Sequence, residues 1–488
     1  MPAKILYHAV PVPWRKEEKY AFLEKAASTT GVKWQTLTPD AKGNWITNDT
    51  DEEYGAFLPI GSKEAKAGLH KLAVFRTYSP GINTARDAVA YDFTRTKLAS
   101  RVETFCDEYN MELQRWLKRG KPADIDNFVS YERIKWSETL KRRLASAEEA
   151  LFNDARISQS LYRPFNRMHL YVGPHVVDRP GAFATYFSKV ARAKNRMICV
   201  SGEGSFKPFH CLASDLQVGF DCIEKTQCFP LFTYPKDGKE RCDNITPKAL
   251  TLFQIFYDDE RITREDIFHY VYALLHHPTY RTRFAENLKR ELPRIPFVGV
   301  EVTRLKSPAS KAGKKLEPPH VGSYSGRFFP LSSVATMQGE AKPDHDPQAS
   351  AQLFHTFAAA GKQLADLHVN YESAPEFNLK RQENKEVPLD WRVEAMKLSK
   401  DKATLIYNDF WTLSGIPPEA FDYRLGNRSA LEWVIDQYRV SRDAQGNIAS
   451  DPNRLDDEEY IVRLIGQVIT VSLETQRIVN SLPPIVFE

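Results

Sequence analysis

Residues 197–234 read MICVSGEGSFKPFHCLASDLQVGFDCIEKTQCFPLFTY. Short runs of β-branched and aromatic residues alternate here with Gly and Pro, a pattern typical of short strands joined by turns. The pattern extends back toward Leu161 through HLYV (169–172) and HVV (175–177). We therefore predict that residues 161–234 form the most sheet-like part of the chain.

Helical patterns flank this segment. Helices are predicted near residues 94–118, from Thr263 to Pro278, near 351–371 and near 458–482. Thr263 and Asp266 have the spacing of a capping box, and apolar residues follow Thr263 at helical intervals. The prediction is an α+β fold with a β-rich core followed by a mainly helical C-terminal subdomain. Its expected divisions are an α+β segment (1–125), a basic β-rich core with a helical hairpin (126–306), linker-like loops (307–350) and the helical subdomain (351–488).

The charge of the chain is unevenly distributed. The net charge of the 488 residues is only +4, but residues 133–207 carry fourteen Lys or Arg against six Asp or Glu. A local positive surface on a near-neutral protein is typical of a phosphate-binding face. A solvated basic surface without a ligand is the alternative interpretation.

The six cysteines form no C-x-x-C pair. They are too sparse for a disulfide scaffold and are expected to be buried free thiols. No secretory signal and no apolar run of membrane-spanning length are present, so a cytoplasmic location without membrane contact is predicted.

Recognisable catalytic motifs are missing from the sequence. It contains no phosphate-loop motif and no Asn/Asp-Pro-Pro-aromatic loop of adenine methyltransferases. Two weaker interpretations were considered: SGEGS (201–205) as a cofactor loop rather than a turn, and Asp221, Glu224 and Lys225 as a nuclease site rather than surface charges. The turn and the surface charges are favoured, and no catalytic site, metal site or cofactor is predicted in this chain.

Three basic clusters, at residues 135–143, 163–167 and 192–196, contain residue types that bind DNA. Arg and Lys neutralise phosphates, Ser donates to them, and Arg and Asn read base edges in the major groove. Surface loops whose cations pair with nearby acids are the alternative. The predicted DNA-binding residues are Lys135, Trp136, Ser137, Lys141, Arg142, Arg143, Arg163, Asn166, Arg167, Arg179, Arg192, Lys194, Asn195, Arg196, Lys207 and Arg86.

Several motifs, taken in order, resemble a known family. They are GINTARDAVAYDF (81–93), YRPF (162–165), ICVSGEGSFKPF (198–209), QCFPLFTY (227–234), DIFHYVYALLHHPTYRTRFAENLKRELPRIPF (266–297), LSGIPPEAFDYRLGNRSALEWVIDQY (413–438) and ITVSLETQRIVNSLP (469–483). They look like the C-terminal specificity domain of Type ISP restriction–modification enzymes. In that family one polypeptide joins a nuclease, a helicase-like ATPase, an adenine-N6 methyltransferase and a target-recognition domain.

The resemblance implies sequence-specific recognition of double-stranded DNA. Methylation and ATP-dependent cleavage would come from a partner chain or from domains outside this one, and S-adenosylmethionine, ATP and Mg²⁺ are expected only there. The family pattern has Asn where this chain has Ala85, which puts a side-chain contact in doubt. A split subunit, a decayed gene and a fragment stay open as origins. A cryptic methyltransferase and an interaction scaffold that never touches DNA stay open as functions.

Overall fold

A computed structural model describes residues 4–10, 14, 16–39, 43, 45, 50–69, 72–187, 194–235, 239–301, 325–334, 345–443 and 445–486. The chain divides into two compact units, residues 1–55 and residues 56–488. In the first unit, Ile5–Tyr7 pairs antiparallel with Gln35–Leu37. His8 stacks on Phe22 there, with ring centres 5.1 Å apart.

The following helices have both ends within the described residues. In chain order they are α1 (Lys16–Ala26), α2 (Asp51–Gly55), α3 (Lys63–Lys66), α4 (Asp87–Ala90), α5 (Arg95–Lys118), α6 (Glu138–Ala145), α7 (Pro247–Tyr257), α8 (Arg264–Leu274), α9 (Pro278–Arg283), α10 (Ala285–Arg290), α11 (Pro347–Val369), α12 (Ala430–Gln437) and α13 (Tyr460–Asn480).

The second unit contains three four-stranded sheets. The first has the strand order Gln217–Val218, Ile157–Arg163, Asn166–Tyr171, Tyr91–Asp92. The second has the order Ser79–Pro80, Gln227–Pro230, Met197–Val200, Cys211–Ser214. The third has the order Lys380–Glu383, Trp411–Ser414, Thr404–Ile406, Lys397–Leu398. Within these sheets only Gln217–Val218 pairs parallel to its neighbour.

Smaller sheets contain the remaining strands of the described residues in this unit. Phe297–Glu301 is the central strand between Arg327–Phe329 and His345–Asp346. The two-stranded pairs are Phe232–Thr233 with Cys242–Asp243, Arg294–Ile295 with Leu58–Pro59, Arg424–Leu425 with Arg428–Ser429, and Ser441–Arg442 with Ile448–Ser450.

Helix α8 forms the centre of the helical packing. The predicted capping box is confirmed, since the Asp266 amide donates to the Thr263 hydroxyl and the Thr263 amide donates to the Asp266 carboxylate. All residues of α8 from Ile267 to Leu274 are buried. Helix α11 crosses it at Gly361, where an added Cβ would lie only 1.8 Å from the His269 carbonyl oxygen. This glycine therefore permits the close approach of the two helices.

The α+β class and the helix-rich C-terminal region are confirmed. The predicted helices near 94–118, 351–371 and 458–482 correspond to α5, α11 and α13. HVV (175–177) is not a strand, and the third sheet lies inside the segment that was predicted to be mainly helical. The predicted boundaries at 125, 306 and 350 stay predictions, although one hydrophobic core runs from Ile82 to Val471. The loops predicted at 307–350 lie largely outside the described residues, at 302–324 and 335–344.

The cysteines are free, and five of the six are buried, while Cys242 is half-buried. None of the helices in the described ranges combines the length and the apolar character that a bilayer crossing requires.

Candidate nucleic-acid interface

Arg86 was predicted to contact DNA, but its side chain is 2% exposed and forms an internal junction. The guanidinium pairs with Asp178 at 3.0 Å. The same group donates to the Ser137 hydroxyl (2.7 Å) and to the carbonyls of Val176 (3.0 Å), His175 (3.1 Å), Thr84 (3.3 Å) and Lys135 (3.3 Å). Burial lowers the pKa of Arg86, and the neighbouring Asp178 charge opposes that shift. Arg86 therefore joins three chain segments, which is a correction to its predicted role.

The Arg86 junction positions two exposed cations. Lys135 is exposed, and its own carbonyl accepts from Arg86. Arg179 is also exposed and follows Asp178 directly, with its backbone paired to Asn83 at 2.9 Å in both directions. We call Lys135, Arg179 and the exposed Arg142 of α6 the basic face. All three were predicted DNA-binding residues.

Ser137 was predicted to bind phosphate, but its hydroxyl forms hydrogen bonds within the Arg86 junction. Its hydroxyl caps α6 by accepting from the Leu140 amide at 3.3 Å and donates to Asp178 at 2.9 Å. A phosphate contact would compete with both bonds, so the structure assigns Ser137 to the support of the basic face.

The family position that carries Asn in the resembled pattern is Ala85, and its φ is +61°. Left-handed backbone is unfavourable for Ala and well tolerated by Asn. The structure thus provides a backbone reason for Asn here, independent of any contact with a ligand.

Ala85→Asn is expected to raise the free energy of unfolding by about 0.5–1 kcal/mol, because it relieves left-handed strain. Denaturant unfolding measures the change. The matched control is Ala145→Asn in the last turn of α6, where the helical backbone gives no such gain. An equal or lower stability of Ala85→Asn would contradict the assignment.

The hairpin that carries RPFNR (163–167) is buried at its tip. Phe165 has a φ of +57° and is fully buried, with its ring 5.2 Å from that of Tyr371. Arg167 pairs with Glu372 at 2.7 Å and donates to the Val369 carbonyl at 2.8 Å. The hairpin therefore docks the first sheet onto the segment that follows α11.

Two residues that were predicted to contact bases, Asn166 and Arg167, lie in this hairpin. Asn166 is 0% exposed, which corrects its predicted role, whereas Arg167 is half-buried and paired with Glu372 and its predicted DNA contact stays a prediction. Arg163 is half-buried, lies over the Tyr162 ring at 4.1 Å and donates to the Tyr162 carbonyl at 2.9 Å. Among the three, Arg163 alone keeps part of its surface free of an acidic partner within the described residues.

The predicted cluster at 135–143 is also partly internal. Trp136 is 5% exposed and donates its indole N–H to the Ser130 carbonyl at 2.9 Å. Lys141 is 8% exposed and pairs with Asp126 at 2.5 Å and with Glu138 at 2.7 Å. Both are corrected to structural roles, and these two ion pairs raise the pKa of Lys141. Arg143 forms an ion pair with Glu148.

The third predicted cluster, at residues 192–196, also contains both internal and exposed side chains. Asn195 is buried, and its amide donates to the carbonyls of Tyr186 and Phe232, each at 2.8 Å. Arg196 pairs with Asp366 at 2.5 Å. The predicted DNA contact of Asn195 is therefore corrected to a structural role. The charge of Arg196 is paired with that of Asp366. Lys194 is exposed and Lys207 is half-buried, while Arg192 lies outside the described residues.

An open cleft adds lysines that the sequence analysis missed. Its volume is about 410 Å³. It is lined by Lys63, Lys66, Tyr78, Glu203, Phe220, Lys225, Gln227 and Leu292. Burial lowers the pKa of Lys66, whose ammonium lies 5.1 Å from the centre of the Tyr78 ring. We call this site the lysine cleft.

The lysine cleft and the basic face border the same stretch of chain. Gly81 donates to the Thr226 carbonyl at 2.9 Å, next to Lys225. On the other side, Asn83 pairs with Arg179. Residues 79–83 thus connect the two groups of cations, and we take both groups together as the candidate interface.

A second cleft of about 600 Å³ is lined in part by arginines that are already ion-paired. It is lined by residues that include Arg95, Arg167 and Arg392. Each of these is already paired, Arg95 with Asp154 at 2.5 Å, Arg167 with Glu372, and Arg392 with Asp451 at 3.0 Å. The charges of these three arginines are largely compensated within the fold, while Lys97 and Arg454 add further cations to the lining.

Two of the residues in the weaker catalytic interpretations, Glu224 and Lys225, are hydrogen-bonded to the loop at 204–207. Glu224 accepts hydrogen bonds from the Ser205 hydroxyl and the Lys207 amide, and Lys225 donates to the Gly204 carbonyl at 2.8 Å. Within the described ranges, no group of three or more His, Cys, Asp or Glu side chains is arranged to hold a metal ion.

Comparison with known proteins identifies the family. The model of the Type ISP C-terminal specificity domain matches residues 73–345 and 347–464. The chain belongs to this family. A search of the curated proteins finds no match.

Solved structures resemble this Type ISP specificity domain along nearly its whole length. The DrdV–DNA complex, determined by cryo-electron microscopy, is 31% identical with a TM-score of 0.77, covering 99% of this chain and 44% of that one. A nuclease-deletion mutant of the Type ISP restriction–modification enzyme LlaGI in complex with a DNA substrate mimic is 27% identical with a TM-score of 0.73, covering 97% and 38%. The ATP-dependent Type ISP enzyme LlaBIII bound to DNA is 25% identical with a TM-score of 0.73, covering 97% and 28%. The chain thus spans less than half of each of these proteins.

Proposed function

We infer that this chain is the DNA target-recognition part of a Type ISP restriction–modification system. The observation that carries the inference is the family match over residues 73–345 and 347–464. It is supported by three similar structures that are described as complexes with DNA or a DNA mimic.

The geometry supplies a basis for binding. Lys135, Arg142 and Arg179 are exposed and suited to phosphate contacts, which set register without reading sequence. The lysine cleft adds Lys63, Lys66 and Lys225 together with the amide of Gln227. An amide of this kind is able to hydrogen-bond a base edge.

We propose that methyl transfer, ATP hydrolysis and cleavage are performed by domains or partner chains outside this one. The chain covers 28–44% of the three similar structures, which leaves room in those proteins for other functions. The proposal assigns S-adenosylmethionine, ATP and Mg²⁺ to those other parts.

The triple variant Lys135→Ala, Arg142→Ala, Arg179→Ala is expected to bind duplex DNA more weakly than the unmodified chain. Each lost phosphate contact should reduce the slope of log affinity against log salt by about one. Titration of a fluorescent 30-base-pair duplex at several salt concentrations measures both quantities.

The matched control removes three exposed lysines from the C-terminal region, Lys385, Lys397 and Lys400. The control is expected to keep the affinity and the salt slope of the unmodified chain. If the two triple variants behave alike, the basic face is wrongly placed. If the unmodified chain binds S-adenosylmethionine, the methyltransferase alternative gains support.

A further inference from the structure

Phe206 presents a phenyl ring to solvent beside the lysine cleft. Its side chain is 85% exposed, in a segment where both neighbours in the chain take part in hydrogen bonds. Single exposed apolar side chains are common on protein surfaces and need no function by themselves. The loop that holds Phe206 and the charges around it are the features that require an explanation.

Glu224 fixes the backbone on which Phe206 stands. Its carboxylate accepts from the Ser205 hydroxyl, from the Phe206 amide at 3.3 Å and from the Lys207 amide at 3.0 Å. Although burial acts in the opposite direction, these hydrogen bonds hold the pKa of Glu224 below its ordinary value. The carboxylate is therefore ionised at neutral pH and binds the loop with charge-assisted hydrogen bonds.

Hydrogen bonds also hold the loop at Gly204. The Gly204 amide donates to the Lys289 carbonyl at 2.8 Å, and the Lys225 ammonium donates to the Gly204 carbonyl at 2.8 Å. Gly202 lies so close to Lys225 that an added Cβ would be 2.2 Å from its carbonyl oxygen. The backbone thus orients the phenyl ring without burying it, so contact with a ligand would cost little additional ordering.

The Lys225 ammonium beside the ring is suited to a phosphate, in a region that also contains the acids Glu203 and Glu224. The Lys225 ammonium lies 5.6 Å from the centre of the Phe206 ring and also lines the lysine cleft, which connects the ring with that site. Lys207 follows Phe206 in the chain and is half-buried. An aromatic ring with a cation beside it is a combination that binds a nucleic-acid base and its phosphate together.

We propose that Phe206 stacks on a DNA base and acts as a wedge at a base step that opens when the target is bound. Apolar side chains that enter a base step in this way partly unstack it and bend the duplex. The inference deepens the proposed DNA recognition and depends on it. A protruding ring beside the Lys225 ammonium fits an opened base step better than the flat apolar surface of a protein partner.

The test uses the full chain and two 30-base-pair duplexes of the same sequence, one fully paired and one with a central mismatch. A wedge binds the mismatched duplex more tightly, because less unstacking is needed there. Phe206→Ala is expected to lower the affinity for the mismatched duplex about tenfold, which corresponds to about 1.4 kcal/mol, and to remove the preference for the mismatch. Phe206→Trp should retain both properties, since a larger ring stacks as well.

Leu389→Ala removes a comparably exposed apolar side chain, 62% exposed, and serves as the control. It should bind both duplexes as the unmodified chain does. Equal affinities of Phe206→Ala and the unmodified chain for both duplexes would overturn the wedge and leave DNA recognition intact. Failure of the unmodified chain to bind either duplex at low salt would overturn the proposed function and the wedge with it.

Discussion

Arg86→Ala is expected to lower the free energy of unfolding by about 3–5 kcal/mol, the range found when one partner of a buried ion pair is removed. The variant leaves Asp178, whose side chain is 13% exposed, without its cation. It also removes the donor to the carbonyls of His175 and Val176. Denaturant unfolding followed by circular dichroism measures the loss.

Two further variants make this prediction specific. Arg179→Ala removes an exposed guanidinium next to the junction and should change stability by less than about 0.5 kcal/mol. Arg86→Lys keeps the charge but not the planar set of donors. Its free energy of unfolding should lie between those of Arg86→Ala and Arg179→Ala. If Arg86→Ala is as stable as Arg179→Ala, the junction does not hold the segments together.

Mild acid is expected to destabilise the chain strongly, because four buried histidines are held neutral. Burial lowers the pKa of His210 and His368 to about 3 and that of His277 to about 4, and it places that of His276 well below its ordinary value. The unfolded chain takes up protons on these groups below about pH 6.5, whereas the folded chain does not until far lower pH. Their contribution to stability is therefore complete above pH 6.5 and is lost as the pH falls toward 4.

At pH 5.5 each of these histidines should cost about 1.4 kcal/mol, and the four together about 5–6 kcal/mol. Such a loss is comparable with the whole stability of many domains. Thermal unfolding between pH 7.5 and 5 measures it. His277→Gln removes one of the titrating groups while keeping a donor for the Pro483 carbonyl, so its stability should depend less steeply on pH. A midpoint that is unchanged between pH 7.5 and 5.5 would contradict the assignment.

The sequence predicts those parts of the fold that short-range patterns encode. The capping box at Thr263 and Asp266 marks the start of α8, and the apolar stripe of α5 gives that helix. In both elements the signal lies within a few turns of the chain. The family resemblance, carried by several ordered motifs, gave the specificity-domain assignment, which the family match confirms.

The candidate site was less predictable, because burial depends on contacts between distant segments. Arg86 meets the Lys135 carbonyl 49 positions away and Asp178 92 positions away, so no local window distinguishes it from an exposed arginine. Lys63, Lys66 and Lys225 meet only in the folded chain, and a charge count over residues 133–207 does not include them. The basic clusters predicted from sequence therefore contain both exposed cations and cations that are paired inside the fold.

The central claim is that this chain reads DNA sequence, and selection from a random pool tests it most directly. The purified chain would be exposed to random duplex DNA through several rounds at two salt concentrations. We expect enrichment of one short asymmetric motif, with affinity that falls steeply as salt rises. Selected pools without a common motif, or no retained DNA at either salt concentration, would contradict it.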